Sequence, residues 1–374
     1  MELWNNILFG FKIITAPTNF LFCFIGVLMG TLVGVLPGLG PAAAMALLLP
    51  LAYHFPPVSA MIMLAGIYYG AMYGGSTTSI LVNIPGEAGS IMTCLDGHQM
   101  AKQGRAGPAL GISAIGSFIG GTFAVLVLNF VAQPLSKFAL EFGPTEYFSL
   151  MCAGMAILCF LTEGSFIKSL ISACFGLFLG TIGMDIFTGA PRFAFGINAL
   201  YDGLGLVVVV MGIFGVTEIL LNMETTIRRY IYTKKIDHLL PNKEDWKASA
   251  KPIARASVLG TLLGILPGGG VILASFTSYA LEKKLSKHPE SFGKGAIQGV
   301  AGPETANNAA SGAGFIPLLT LGVPPNPTTA MLLAALLILG VQPGPLLYTR
   351  HPDVFWGIIA VSYTHLRAHE TVLD

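Results

Sequence analysis

An apolar stretch interrupted near its middle by Pro-Gly occurs twice in this chain, and the interruption recurs together with its flanks. Gly30-Thr31-Leu32-Val33-Gly34-Val35-Leu36-Pro37-Gly38-Leu39-Gly40 returns 230 positions later as Gly260-Thr261-Leu262-Leu263-Gly264-Ile265-Leu266-Pro267-Gly268-Gly269-Gly270, with eight of eleven residues identical. Self-similarity of this kind marks a duplicated unit. The two copies sit inside the apolar stretches 19–51 and 254–281. Irregular backbone within a membrane survives only where protein covers it or a cavity runs beside it. Lipid is the expected solvent, because 53% of the 374 residues are apolar and only 10% charged, against roughly 25% charged in soluble domains. The 46 glycines and 23 prolines are a load that membrane helices tolerate.

Further candidate spans of about 20 residues lie at 58–84, 107–131, 147–161, 167–184 and 205–221. Lys and Arg accumulate in cytoplasmic loops, and 224–255 holds eight of the 20 positive charges. Lys283, Lys284, Lys287 and Lys294 follow the second broken stretch, so both of its ends fall on the cytoplasmic side, as a hairpin requires and a single crossing does not. The first copy is followed instead by His54-Phe55-Pro56-Pro57, without Lys or Arg, and five spans separate the copies. The two units therefore face opposite sides. Lys102 and Arg105 agree with this orientation; Lys137 and Arg192 fall outside. Inverted repeats with broken helices point to a secondary transporter. The fold class expected is an all-α polytopic membrane protein, an inverted-repeat secondary transporter with two broken or re-entrant helical hairpins. Its parts are a first repeat with connecting helices (1–222), a basic cytoplasmic loop (223–255), a second repeat (256–361) and a polar tail of non-native character (362–374). The start of the chain shows no cleaved targeting signal, and the five scattered cysteines read as packing residues.

Gly30–Pro41, the run Tyr69-Gly70-Ala71-Met72-Tyr73-Gly74-Gly75-Ser76-Thr77-Thr78-Ser79-Ile80-Leu81, Asn83-Ile84-Pro85-Gly86-Glu87 and Gly302-Pro303-Glu304-Thr305-Ala306-Asn307-Asn308-Ala309 closely resemble the large membrane subunit of tripartite tricarboxylate transporters. The resemblance spans about residues 1–361. It implies a multi-pass subunit of the bacterial inner membrane that imports tricarboxylates or related carboxylates with an ion. It also implies two partners, a small membrane subunit and an extracytoplasmic solute-binding protein.

The residues themselves suggest where the chemistry sits. Each returning arm opens with glycines, Gly38-Leu39-Gly40 or Gly268-Gly269-Gly270, so unpaired N–H groups at a positive helix end face the middle of the membrane and suit a carboxylate. Tight packing is the alternative use of such glycines. Ser76, Thr77, Thr78 and Ser79 offer hydroxyls to an anion or cation, or bond back to their own helix. Asn83 beside Pro85-Gly86 and Asn326 in Pro324-Pro325-Asn326-Pro327 complete the expected substrate-binding set, with a rigid turn the alternative for Asn326. Glu304, Asn307 and Asn308, read as flanking a non-helical stretch after Pro303, and Glu87 are candidates for ion coupling, since a carboxylate repels an anionic substrate but takes sodium or a proton. For Glu87 a solvated or structural role stands beside that one.

Other function classes fit less well. A net charge of +1 gives no footprint for nucleic acid, and no G-x-x-x-x-G-K-[ST] supports a nucleotide-driven pump. The seven histidines, His54, His98, His238, His288, His351, His365 and His369, all fall outside the expected apolar interior, which disfavours a membrane-embedded enzyme; His365, His369 and Glu370 only imitate a metal triad. A passive carboxylate channel stays open. No cofactor is expected beyond sodium or a proton as coupling ion.

Overall fold

The computed structural model describes residues 2–36, 40–161, 165–185, 189–217, 220, 238–268 and 270–371. Helices dominate: α1 (Glu2–Ile14), α2 (Pro17–Val35), α3 (Pro41–Ala52), α4 (Pro57–Val82), α5 (Ile91–Lys102), α6 (Ala106–Leu140), α7 (Pro144–Leu161), α8 (Phe166–Gly180) and α9 (Leu206–Val210), which continues as a π-helical turn over Met211–Val216. After them come α10 (Lys243–Ile265), α11 (Gly270–Leu285), α12 (Gln298–Ala313), α13 (Phe315–Leu321), α14 (Pro327–Ile338), α15 (Leu347–Arg350) and α16 (Pro352–Thr371). The two short strands β1 (Gly183–Met184) and β2 (Pro191–Arg192) pair antiparallel.

Three described helices, α2, α4 and α6, are long and apolar enough to cross a membrane. Two other expected spans are interrupted. The stretch 167–184 is a 15-residue helix that stops at Gly180 and passes into β1 through Gly183, whose φ of +126° is closed to other residues. In the described part of 205–221, α9 gives way at Met211 to the π turn.

Proline sets several helix starts. Pro17, Pro41, Pro57 and Pro327 each occupy the first helical turn, where the missing N–H has no intrahelical partner to lose. The expected breaks are present: α2 ends before α3 begins at Pro41, and α10 ends before α11 begins at Gly270. Pro37, Gly38, Leu39 and Gly269 lie outside the described residues. In each copy the two arms lie side by side. Phe22 on α2 meets Phe55, just past α3, at 4.7 Å between ring centroids. Arg255 on α10 pairs with Glu282 on α11, its Nε 2.9 Å from Oε1.

Glycine lets the helices of each copy approach to backbone contact. Gly26, Gly30 and Gly34 on α2 face Met63, Ile67 and Ala71 on α4, and a Cβ at any of the three glycines would run into the facing carbonyl. Gly66, Gly70 and Gly74 return the same contact from α4. This is the small-residue spacing by which membrane helices gain close dispersion contact. In the second copy Gly260 and Gly264 on α10 meet Ala306 and Ala310 on α12 in the same parallel sense. The copies also end alike. Asn83 closes α4 and Gly322 closes α13, 239 positions apart and both left-handed, with φ of 61° and 71°. Ile84 N–H then donates to Thr78 O, and Val323 N–H to Pro317 O, again 239 apart. Between the copies the direction reverses. Ser76 lies on Glu304 while the earlier Tyr69 lies beside the later Gly312, so α4 and α12 run antiparallel.

Side chains also join the copies. Asp96 on α5 is fully buried, and its Oδ1 accepts N–H groups from Gly293, Gly295 and Ala296 while Oδ2 accepts the Tyr279 hydroxyl. That carboxylate fixes the loop between α11 and α12. His98, expected outside the apolar interior, is buried on α5 with Nδ1 at 3.1 Å from the Ile80 carbonyl; α5 is folded against α4, α6 and α12 rather than left in a loop. Ser362 is buried and pairs with the Tyr69 hydroxyl at 2.7 Å, so packing continues past residue 361.

The glycine contacts make a direct stability prediction. Gly70→Ala forces its Cβ against the Val27 carbonyl and should destabilise by about 1–3 kcal/mol, the usual cost of overpacking. Gly154→Ala, where nothing approaches within 4 Å, should be neutral or mildly stabilising through helix propensity. Thermal unfolding of the two purified variants decides; equal midpoints would mean that α2 and α4 can separate at little cost.

Candidate functional site

A cavity of about 600 Å³ opens where the two copies meet, within the size range of small-molecule sites. Gly40, Pro41 and Ala42 from the first break line it, as do Gly268, Gly270, Val271 and Ile272 from the second. The loops that follow the equivalent helices complete it, with Glu87 and Ala88 after α4 and Pro324, Pro325, Asn326, Pro327, Thr328 and Ala330 after α13. Met72, Ile213 and Thr217 close the remainder.

Glu87 and Asn326 are positional counterparts, 239 residues apart, and each caps a helix. Glu87 Oε2 accepts the Gly89 N–H at 2.6 Å and starts the short turn over Ala88–Ser90. Asn326 Oδ1 accepts the Thr329 N–H at 2.9 Å in a reciprocal capping box that starts α14. The loop Val323-Pro324-Pro325-Asn326 is therefore the counterpart of Ile84-Pro85-Gly86-Glu87. Asn326 Nδ2 also reaches the Tyr68 hydroxyl at 3.3 Å. Glu87 Oε1 is buried with no hydrogen-bond partner among the described residues, and Glu87 is the single ionisable side chain among the described lining residues.

The second break is tied to the opposite loop: Gly268, at φ +78°, donates its N–H to the Pro325 carbonyl at 2.9 Å. That corrects the expectation of an unpaired N–H there, because the break satisfies itself with protein before any ligand arrives. The N–H groups in the first turns of α11, beginning at Gly270, and of α3, beyond Pro41, have no partners within their own helices.

The remaining expected residues divide. Ser76 does not line the cavity; its hydroxyl lies 2.5 Å from Glu304 Oε2. Thr77, Thr78 and Ser79 bond back to the carbonyls of Tyr73, Gly75 and Gly75, and Ser79 also reaches Ser90 Oγ. Asn83 is an exposed cap. Glu304, Asn307 and Asn308 lie inside α12, which continues through Pro303, so the non-helical stretch expected there is absent. The Glu304 carboxylate is fully buried and held by Ser76, Thr93 and Ser113 rather than by the two asparagines. Asn308 Nδ2 turns to Ser117 Oγ at 2.8 Å and to Asn307 Oδ1 at 2.5 Å, while Asn307 Nδ2 has no partner among the described residues. Thr93 and Ser113 carried no sequence signal, as each is an ordinary helix hydroxyl until α5 and α6 fold around α12.

The family described as "Tripartite tricarboxylate transporter TctA family" matches residues 20–366. An Agrobacterium vitis protein described as "Uncharacterized 52.8 kDa protein in TAR-I ttuC' 3'region" is 51% identical over 360 residues, covering 96% of this chain and 72% of that protein. A second from the same organism, "Uncharacterized protein in TAR-II ttuC' 3'region", is 60% identical over 101 residues, 27% of this chain and 42% of its own length. No solved structure matches the chain.

The cap at Asn326 can be weighed by substitution. Asn326→Ala should lower stability by about 1 kcal/mol through the lost cap, whereas Asn326→Ser keeps a capping oxygen and should retain most of it. Denaturation midpoints compare them; equal losses would move the contribution from the cap to the Tyr68 bond.

Proposed function

This chain belongs to the tripartite tricarboxylate transporter TctA family, and we propose that it is the membrane subunit through which a carboxylate is imported, coupled to an ion and delivered by an extracytoplasmic solute-binding protein. The carrying observation is the shared cavity, bounded by both helix breaks and both capping loops. The first turns of α3 and α11 aim positive helix ends at it, which supports carboxylate binding at Gly40, Gly268 and Gly270, with Asn326 beside them. Gly38, Leu39 and Gly269 join this proposal from their place in the chain.

No Lys or Arg lines the cavity among the described residues, so a multiply charged substrate meets backbone dipoles and one acidic side chain. Its charge then has to be offset by a cation that enters with it, sodium or a proton. Glu87, with a free oxygen in the cavity wall, and Glu304 are the carboxylates we assign to that coupling, Asn307 and Asn308 lying on the same helix as Glu304.

Alternating access by inverted repeats is supported by the antiparallel course of α4 and α12. The loop before α6, the first turn of α10 and the loop before α12 gather at one end, where Arg105 pairs with Asp245 and Gln103 Nε2 bonds the Lys294 carbonyl at 2.8 Å. We assign that basic end to the cytoplasm and the uncharged turn at 53–57 to the outside, with the chain multi-pass in a bacterial inner membrane beside a small membrane subunit. The hairpins are re-entrant on this reading.

Two experiments test it. Cysteines placed at exposed Lys247 and Lys287 in a cysteine-free background should both be labelled only from the cytoplasm, and one at exposed Tyr53 only from outside; labelling of Lys247→Cys and Lys287→Cys from opposite faces would remove the inverted hairpin. In proteoliposomes supplied with partner subunits, Ala330→Trp fills the cavity and should abolish carboxylate uptake, while Leu337→Trp, exposed two turns further along the same helix and outside the cavity lining, should not. Normal uptake by Ala330→Trp would place the substrate elsewhere.

A further inference from the structure

Glu304 presents a buried carboxyl group with no counter-charge among the described residues. Its carboxylate is wholly enclosed, and among the described residues no Lys, Arg or His pairs with it. What surrounds it is a set of neutral oxygens drawn from three other helices. Ser76 Oγ of α4 lies at 2.5 Å and Ser113 Oγ of α6 at 3.1 Å from Oε2, and Thr93 Oγ1 of α5 lies on Oε1. A fourth oxygen stands behind them, because Ser76 Oγ is 3.1 Å from the Met72 carbonyl. Ser76 has one proton and two acceptors within reach, so it cannot donate to both.

Hydroxyl donors satisfy the carboxylate's lone pairs but leave its net charge in place. A lone charge in an apolar interior is costly, and such groups are paired, neutralised or bound to a metal. Hard cations take clustered carboxylate, hydroxyl and carbonyl oxygens, and this cluster supplies two carboxylate oxygens and three hydroxyls. Hydroxyl groups rotate, so each can turn a lone pair to a cation without moving its helix.

We propose that Glu304, Ser76, Thr93 and Ser113 form a site for a dehydrated sodium-sized monovalent cation, separate from the substrate cavity and built from both copies of the repeat. Asn307 and Asn308 are not ligands of this site. Glu304, on α12, is joined there to α4, α5 and α6, so occupancy by the cation draws together helices from the two halves that must move relative to one another. This deepens the ion-coupled reading above by naming the ion's ligands and by choosing sodium over a proton.

The test uses the purified chain without substrate. Thermal unfolding is followed as sodium chloride replaces choline chloride at constant ionic strength and pH. A ligand that binds the folded state raises the midpoint with concentration, so wild type should be stabilised by sodium. Thr93→Val and Ser113→Ala should each weaken the apparent sodium affinity by at least about tenfold, the equivalent of about 1.4 kcal/mol in lost coordination. Thr93→Ser, which restores the oxygen, should return it to near wild type and guards against a merely misfolded variant. Equilibrium dialysis with radioactive sodium should show one bound ion per chain, lost in Glu304→Gln. An unchanged sodium response in both Thr93→Val and Ser113→Ala, or a wild type indifferent to sodium against choline, would overturn the site and leave a proton as the occupant of Glu304. Neither result depends on carboxylate uptake, so failure here is distinguishable from failure of the transport reading.

Discussion

A helix interrupted inside an apolar body leaves N–H and C=O groups that neither lipid nor side-chain packing can satisfy, and the rest of this structure depends on where those groups go. The clearest answer is at the second break. Gly268 turns to a positive φ that only glycine adopts freely and gives its N–H to the Pro325 carbonyl, in the loop after α13. That bond seats the break against the Pro324–Asn326 loop, and the space beside it is the cavity. Glycine contacts between α2 and α4, and glycine-to-alanine contacts between α10 and α12, hold each copy to backbone distance around it. The cavity is thus a consequence of duplicated backbone irregularity rather than of an ordinary cleft between side chains.

Charge follows the same plan. Ionisable groups within the body are few, and most are placed with partners or at a boundary. Asp96 collects three loop N–H groups and a tyrosine hydroxyl, a neutral-donor arrangement that fixes one loop firmly. Arg255 and Glu282 clamp the arms of one hairpin. Among the described residues two acids have no such closure: Glu87 keeps one buried oxygen unpartnered, and Glu304 is met by hydroxyls alone. On the transport reading these are the positions where an incoming cation changes the energy most, since an uncompensated charge at depth is expensive and its neutralisation correspondingly favourable.

Much of this was legible in the chain, for physical reasons that also explain what was not. The repeat around Pro37 and Pro267 announced two broken helices because Pro and Gly interrupt hydrogen bonding wherever they occur. The helix starts at Pro41, Pro57 and Pro327 follow from the same rule. The long runs of α4 and α6 were visible as uninterrupted apolar sequence. Hidden from sequence were the partnerships. The four hydroxyls of Ser76–Ser79 look alike in a list of residues, yet one turn of α4 brings Ser76 to Glu304 and Ser79 to Ser90 and leaves Thr77 and Thr78 to their own helix carbonyls. Thr93 and Ser113 have no local signature, and only the packing of α5 and α6 on α12 brings them to Glu304. Pro303 suggested a break that α12 does not make: the proline lies inside the helix, where it forfeits one backbone bond, the one its own N–H would have given to Gly299, without ending it.

The central claim is that both copies of the repeat meet at one cavity and that this cavity holds the transported carboxylate. Ala330, in the cavity wall on α14, is the position from which to ask. In a cysteine-free background bearing Ala330→Cys, the rate of reaction with a small thiol reagent is measured as the carboxylate concentration rises. Labelling is expected to slow and saturate, with a midpoint equal to the substrate's binding constant measured independently on the same protein. Labelling that continues at an unchanged rate while the protein is demonstrably saturated with substrate would contradict the claim.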